Sequence, residues 1–453
     1  MKDKYAVKKT FLFLMFLAVS LFALPGFVSA YTKAVVDFPV LGQGQMSDDI
    51  YLYSCGEDSS CKTKTQNQEY GHITNVHRWP VSLGGPGGPV PATWVFLTLT
   101  DNQAQYFEFW QESPLQPAYS KHSEYSGYSE VPSGWDSCIL GITADGGLDP
   151  VATTCVGVVA TPAQGANGVP SFSMGAAMFS QSPIHWDPPT PSKTNTLPSR
   201  GLTFINKTSV STICLQTDSS FEHEECSGAN KISKGGSPYV IDSSDLHEGA
   251  NSGVGQVAAY QLTEGQQWVN TGMDSSSTVY ATNLEWTVWP EQDQYTPGPT
   301  TIDISLVNGF NIGVTLSPDR DTVCSVADTE GGTPYFVMYK ANVPMAIFPK
   351  SPGTSLDEAC PAENQVPDGS GAKTGCYSSC AYANIHNEKI DETCCQGQYN
   401  SVSTCTLPPT LPWAQDIDEN STRVYSWAFE DWRGTFTCEP TAKFTFTITN
   451  PPL

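Results

Sequence analysis

Two strand-like segments carry the carboxylates best placed to do chemistry. In Leu284-Glu285-Trp286-Thr287-Val288 the apolar residues Leu284, Trp286 and Val288 alternate with Glu285. In Thr301-Ile302-Asp303-Ile304-Ser305-Leu306 the aliphatic residues alternate with Thr301, Asp303 and Ser305. A period of two puts each acid on the polar face of its strand. No Lys or Arg lies between Lys234 and Arg320, a span that holds ten Asp and Glu residues, so neither carboxylate has a cation nearby in sequence. Carboxylates on facing strands can accept hydrogen bonds from sugar hydroxyls, chelate a hard cation, or divide acid and base roles in glycosidic hydrolysis. Hydrolysis requires one carboxyl kept protonated near neutral pH by burial or a close like charge, while its partner stays ionised. They can equally be solvated strand-face acids with no such task. As solvent-facing positions, both are expected to accept neutral replacement with stability shifts under about 0.5 kcal/mol.

Other constellations carry less. The run Glu222-His223-Glu224-Glu225 beside Cys226 offers metal-ligand types, but it reads better as the charged tip of a disulfide loop. His72 and His77 lack a nearby acid or cysteine pattern and read as loop histidines. There is no G-x-S-x-G, H-E-x-x-H or Walker-type glycine loop. No C-x-x-C pair occurs either, so zinc, haem and other cofactors are not implied. Asn206-Lys207-Thr208 and Asn420-Ser421-Thr422 fit the glycosylation sequon, which matters only where exported proteins are glycosylated.

The ends and the composition indicate where such residues would work. Lys2, Lys4, Lys8 and Lys9 precede an apolar run, Phe11 to Leu24, followed by Val28-Ser29-Ala30. That order describes a secretory signal over residues 1–30, cut after Ala30. The apolar run is shorter than the roughly 20 residues of a spanning helix. An extracytoplasmic, membrane-free mature protein is therefore expected, periplasmic or extracellular, and a monomer. The even count of 14 cysteines suits a disulfide framework in an oxidising compartment. A formal charge of −24, more negative once the signal's lysines are gone, repels nucleic acid and anionic lipid.

The elements that must position the acids are strands. Gly, Pro, Ser and Thr are abundant and no long stretch keeps a helical period, so the chain is expected to be all-β. The prolines from His185 to Arg200 read as a linker between a β-rich region over 31–184 and a larger one over 201–453. Upstream, Ile50 to Tyr53, Trp94 to Thr100 and Thr154 to Ala160 read as strands, and Cys55/Cys61 and Cys138/Cys155 are close enough to close local loops. This upstream region resembles no recognised family. Downstream, Lys443-Phe444-Thr445-Phe446-Thr447-Ile448-Thr449 repeats the alternation of a strand with one buried face, as antiparallel sandwiches require.

A resemblance then emerges from several spaced segments. Ile302-Asp303-Ile304-Ser305-Leu306-Val307-Asn308-Gly309-Phe310-Asn311 looks like the D-[IV]-S-L-V-D-G-F-N segment of thaumatin-like proteins. In the family's order stand Leu202-Thr203-Phe204-Ile205-Asn206, Asn283-Leu284-Glu285-Trp286, Leu316-Ser317-Pro318, Cys360-Pro361-Ala362, Gly375-Cys376-Tyr377-Ser378-Ser379-Cys380 and the vicinal Cys394-Cys395. The end, Tyr425-Ser426-Trp427-Ala428-Phe429-Glu430-Asp431 and Thr435-Phe436-Thr437-Cys438, resembles the family's Y-S-Y-A-x-D-D and T-F-T-C. The match covers about residues 201 to 453.

The resemblance implies a β-sandwich with a disulfide-rich loop region and the bridges Cys324–Cys438, Cys360–Cys376, Cys380–Cys394 and Cys395–Cys405. Cys214 and Cys226 are left over and are expected to pair. Thr208 stands where the family's first cysteine would be, and the tail after Cys438 has none, so the first-strand-to-C-terminus bridge is absent at both ends. The cysteine expected near Thr422-Arg423-Val424 is missing too. The resemblance further implies an acidic cleft of an Arg, a Glu and three Asp residues. Glu285, Asp303 and Asp431 match the Glu and two Asp positions, Asn308 replaces the remaining Asp, and the Arg has no counterpart. The function implied is binding of a carbohydrate polymer of the β-1,3-glucan class, with a defensive role. The alternatives are a weak endo-β-1,3-glucanase with Glu285 and Asp303 catalytic, or a structural or adhesive protein whose cleft is idle.

Overall fold

The computed structural model describes residues 31–39, 49–66, 72–74, 80–81, 90–100, 103–112, 135–165, 167–174, 201–209, 212–217, 231–236, 238–242, 254–261, 282–288, 300–329, 332–367, 373–439 and 441–450. The expected signal over 1–30, the linker over 185–200, His77 and the Glu222–Cys226 run lie outside these residues, and with them the Cys214–Cys226 pairing.

The N-terminal half is a sandwich of two sheets. Its strands include β1 (Lys33–Pro39), β2 (Asp49–Gly56), β3 (Val90–Thr98), β4 (Gln105–Glu112), β5 (Trp135–Ile142) and β6 (Ser171–Ser173). One sheet runs Pro80–Val81, β3, β1, β6, Val159–Thr161; the other runs Thr65–Gln66, β2, β4, β5. Ala34, Val36, Val95, Leu97 and Phe172 from the first meet Leu52, Phe107, Phe109 and Leu140 from the second. Alternation explains the choice, because each of these residues sits at every second position of its strand. The disulfides Cys55–Cys61 and Cys138–Cys155 tie local loops to this frame.

The expected strand from Thr154 to Ala160 is a correction, since only Val159–Thr161 is extended and paired. The Asp149 carboxylate accepts from the Val151 and Ala152 amides and forms a turn, Thr154 caps the backbone of Ile139, and Gly157 takes φ +72. Local hydrogen bonding and the left-handed glycine win over strand propensity there.

The C-terminal half contains β7 (Gly201–Asn206), β8 (Thr282–Val288), β9 (Thr300–Ser305), β10 (Gly313–Pro318), β11 (Thr322–Val326), β12 (Tyr335–Tyr339), β13 (Phe436–Cys438) and β14 (Lys443–Thr449). A five-stranded sheet runs Tyr239–Asp242, β7, β14, β10, Ala346–Phe348. An eight-stranded sheet runs Lys231–Ser233, Thr212–Thr217, Val254–Gln261, β8, β9, β13, β11, β12. Phe204, Phe444, Phe446, Val314 and Leu316 of the first pack on Leu284, Ile302, Ile304, Cys324 and Phe436 of the second. Cys324–Cys438 staples β11 to β13, while Cys360–Cys376, Cys380–Cys394 and Cys395–Cys405 hold the loop region around the helices Ser379–His386 and Pro412–Asn420. The ends of the half are joined without a disulfide. β7 pairs in parallel with β14 from Gly201↔Lys443 to Asn206↔Ile448, and the Ser209 amide donates to Asn450 Oδ1 at 2.7 Å.

The two halves touch through both backbone and side chains. The Val169 amide donates to the Phe336 carbonyl at 2.8 Å and the Met338 amide to the Asn167 carbonyl at 2.9 Å, so residues 167–169 run along the edge of β12. Trp94 meets Phe336 edge-on with ring centroids 5.1 Å apart. Val323 and Phe336 belong to the apolar cluster of the N-terminal sandwich rather than to that of their own half. Lys33 Nζ lies 2.5 Å from Glu439 Oε1, a carboxylate with no solvent exposure.

Candidate functional site

The alternation that singled out Glu285 and Asp303 is realised in the sheet. β8 and β9 pair antiparallel in a register that sets Glu285 directly opposite Asp303. Directly opposed side chains have Cβ atoms about 4.5–5.5 Å apart, close enough for the two carboxyls to share one ligand or repel each other. Asn283 and Ser305, each two residues away on the same face and opposite one another, hydrogen-bond to Glu285.

A third acid arrives from the C-terminal loop. The Tyr425 amide donates to the Ile304 carbonyl, and the Leu306 amide donates back to Tyr425, which lays this segment beside the end of β9. The Tyr425 hydroxyl bonds to Asp431 Oδ1 and to Thr435 Oγ1. Asp431 opens the short helix Asp431–Gly434 that leads into β13. Gly434 is required by close approach, because a Cβ there would stand 2.3 Å from the Tyr425 ring. Glu430, its sequence neighbour, turns inward and accepts from the Ser426 amide at 2.7 Å and hydroxyl at 2.8 Å.

These acids are not the open, solvent-facing residues expected from alternation. Asp303 is 8% exposed and every other residue of β9 is at least partly buried, so both faces of this strand are covered. Loss of water raises the Asp303 carboxyl well above its ordinary range, and the Glu285 and Asp431 charges push the same way. Burial likewise lifts Glu285 to about 7, opposed by its bonds to Asn283 and Ser305 and reinforced by Asp431. Tyr425 is raised well above its usual value by burial and by the Asp303 and Asp431 charges. Asp303 Oδ1 and Asn283 Oδ1 are buried without a hydrogen-bond partner among the described residues. The arrangement is a desolvated, mutually repelling carboxyl group with spare acceptors, suited to hydroxyl donors or a shared proton.

Not every candidate joins it. Asn308 lies half-buried in the turn after β9, and its side chain forms no hydrogen bond among the described residues. Arg433, two positions from Asp431, is committed elsewhere: it bonds the Val424 carbonyl at 2.7 Å and pairs with Asp418 at 2.8 Å. The Asn206 sequon is buried, its Nδ2 donating to the Ile232 carbonyl. Among the described residues no group of three or more His, Cys, Asp or Glu is arranged to hold a metal ion. Tyr425, Asn283 and Ser305 were not singled out as site residues. The polar alternation could have found the last two.

With this geometry in place, comparison with known proteins identifies the region. The model of the Thaumatin family matches residues 270–450, which span β8 to β14 and every acid just described. This segment is a thaumatin-family domain. Thaumatin-like protein 1a of Malus domestica is 28% identical over 142 residues, covering 31% of this chain and 45% of the relative. A protein of Prunus avium named glucan endo-1,3-beta-glucosidase is 27% identical over 151 residues, 33% of this chain and 49% of its own. The osmotin-like protein of Solanum lycopersicum is 35% identical over 131 residues, 26% of this chain and 41% of its own. The chain thus spans about half the length of the curated relatives it matches, and the likeness belongs to the thaumatin domain.

Proposed function

We propose that this is an exported protein whose thaumatin domain binds a carbohydrate polymer of the β-1,3-glucan class through Glu285, Asp303 and Asp431, in a defensive role. The observation that carries the reading is the directly opposed Glu285–Asp303 pair with a buried carboxylate oxygen that has no partner among the described residues. A buried acceptor lacking a donor costs free energy that a ligand hydroxyl would recover. The name of the Prunus avium relative supports the glucan class. No helix among the described residues is long and apolar enough to cross a membrane.

The test is direct binding of soluble β-1,3-glucan by calorimetry. Glu285→Gln and Asp303→Asn should each weaken binding about ten- to a hundredfold, the worth of one hydrogen bond to a charged group. A wild type that binds no glucan at millimolar concentration sinks the reading. Weak endo-β-1,3-glucanase activity is a second reading, favoured by a Glu285 carboxyl held near neutral pH. It is told apart by release of reducing ends that Glu285→Gln abolishes.

A further inference from the structure

The acid-bearing face of the eight-stranded sheet can be followed strand by strand, because directly paired residues share a face. Asp303 and Thr301 lie on it in β9. Thr301 pairs with Thr437 of β13, their hydroxyls 3.2 Å apart, and Thr437 pairs with Ser325 of β11. Ser325 in turn pairs with Phe336 of β12, and Val323 with Met338. The opposite face carries Ile302, Ile304, Phe436, Cys324 and Val326 into the thaumatin core. The acids and Phe336 therefore look out from the same side of one sheet.

That side is where the N-terminal half sits. Lys33, Val35 and Asp37 alternate along β1, and Thr98, Phe96 and Trp94 stand opposite them on β3. Lys33 reaches Glu439, and Phe96 and Trp94 both meet Phe336, so this face of the N-terminal sheet packs on the thaumatin sheet. Ser325 and Thr437 are 3% and 2% exposed although they lie on the outward side, whereas Thr301, beside Asp303, is only half-buried. On this face Thr301 and Glu285 are half-buried while Asp303 between them is buried, and Asp303 stands two strands, or about 10 Å, from Ser325 across the sheet. On the N-terminal wall Val35 and Phe96 are fully buried, while Asp37 and Trp94, opposite each other, remain half-buried. Both facing sheets carry buried oxygens without partners among the described residues: Asp303 Oδ1 and Ser325 Oγ on one, Asp37 Oδ1 on the other.

We propose that the saccharide site is composite, with the N-terminal half as its second wall and Asp37 and Trp94 as a further sugar-contacting position beyond the Glu285–Asp303 pair. A carboxylate with a spare acceptor beside a partly exposed indole matches a sugar ring, which offers hydroxyl donors at its rim and C–H groups on its face. The inference rests on the reading of the acids as a carbohydrate site, and it adds that longer chains gain contacts which short ones do not reach.

The test measures binding of a β-1,3-linked glucose disaccharide and hexasaccharide to the full chain by calorimetry. Asp37→Asn and Trp94→Phe are conservative enough to keep the fold, which unchanged melting confirms. Each should weaken hexasaccharide binding about tenfold, the worth of one lost hydrogen bond or ring contact, and leave the disaccharide within about twofold. Glu285→Gln should weaken both lengths alike. Equal losses for both sugars in the Asp37 and Trp94 variants, or no loss for either, overturn the composite site while leaving the acidic site standing. A wild type that binds neither sugar, or a Glu285→Gln variant that binds both normally, overturns the two readings together.

Discussion

Lys33 and Glu439, 406 positions apart, form an ion pair between the first described strand of the N-terminal half and the segment that follows β13. Glu439 Oε1 also accepts from the Val323 amide at 3.2 Å, and Arg320 approaches it at 3.9 Å, while Oε2 has no hydrogen-bond partner among the described residues. A buried pair is weak evidence of net stabilisation, but removal of one member leaves a charge stranded. Lys33→Met should therefore cost about 3–5 kcal/mol in denaturant unfolding. The double change Lys33→Met with Glu439→Gln should recover most of that loss. An unchanged midpoint for the single variant would show that Arg320 alone neutralises the site.

Neutralising Asp303 should have opposite effects on binding and on stability. Because burial and neighbouring charge hold its carboxyl well above the ordinary range, the ionised form is a burden to the folded state. Asp303→Asn should raise the melting temperature at pH 8 and weaken glucan binding in the same sample. The thermal gain should shrink toward zero at pH 4, where the wild-type side chain is already protonated. A fall in melting temperature at pH 8 would count against a desolvated acid.

Glu430 gives a pH signature of its own. Its folded pKa stands near 7 against an ordinary 4.5, because of burial first and the Asp418 charge second. The folded state thus holds a proton that the unfolded state has lost. The stability this group contributes is full below about pH 4.5 and disappears as pH rises through about 7. Glu285 acts in the same direction over the same window. Unfolding free energy should fall between about pH 4.5 and 7 by up to about 1.4 kcal/mol per pH unit for each group. Glu430→Gln should remove its share of that slope; a slope unchanged in the variant would place the titration elsewhere.

Gly434 tests how Tyr425 is held. A methyl group there would meet the ring at 2.3 Å, so Gly434→Ala must displace Tyr425 from Asp431 and Thr435. Overpacking of this kind costs about 1–3 kcal/mol. Glucan binding should fall with it, whereas Tyr425→Phe, which keeps the ring and removes the hydroxyl, should affect binding more than stability.

Much of this was legible along the chain because strand chemistry is local. The alternation of Leu284, Glu285 and Trp286 with that of Ile302, Asp303 and Ile304 gave the strands, their core faces and the two acids together. The loop bridges of the C-terminal half followed from motif resemblance, and the structure forms the same four pairs. What alternation could not give was the state of the polar face. A residue opposite the core looks solvent-facing until something covers it, and the cover at Asp303 comes from Tyr425 and Asp431, more than a hundred residues away. For the same reason Phe336, in a half-buried hairpin of ordinary pattern, gave no sign that its partner would be Trp94.

The strand-like contact of residues 167–169 with β12 also bears on the fate of the thaumatin domain in isolation. β12 is the last strand of its sheet, and without that segment the Phe336 carbonyl and Met338 amide would be open to water beside an uncovered phenylalanine. An unpaired edge next to exposed apolar surface is a template for another chain. A fragment beginning near residue 201 should therefore stick to itself and form oligomers or precipitate, whereas the chain that includes residues 31–174 carries its own cap against self-association.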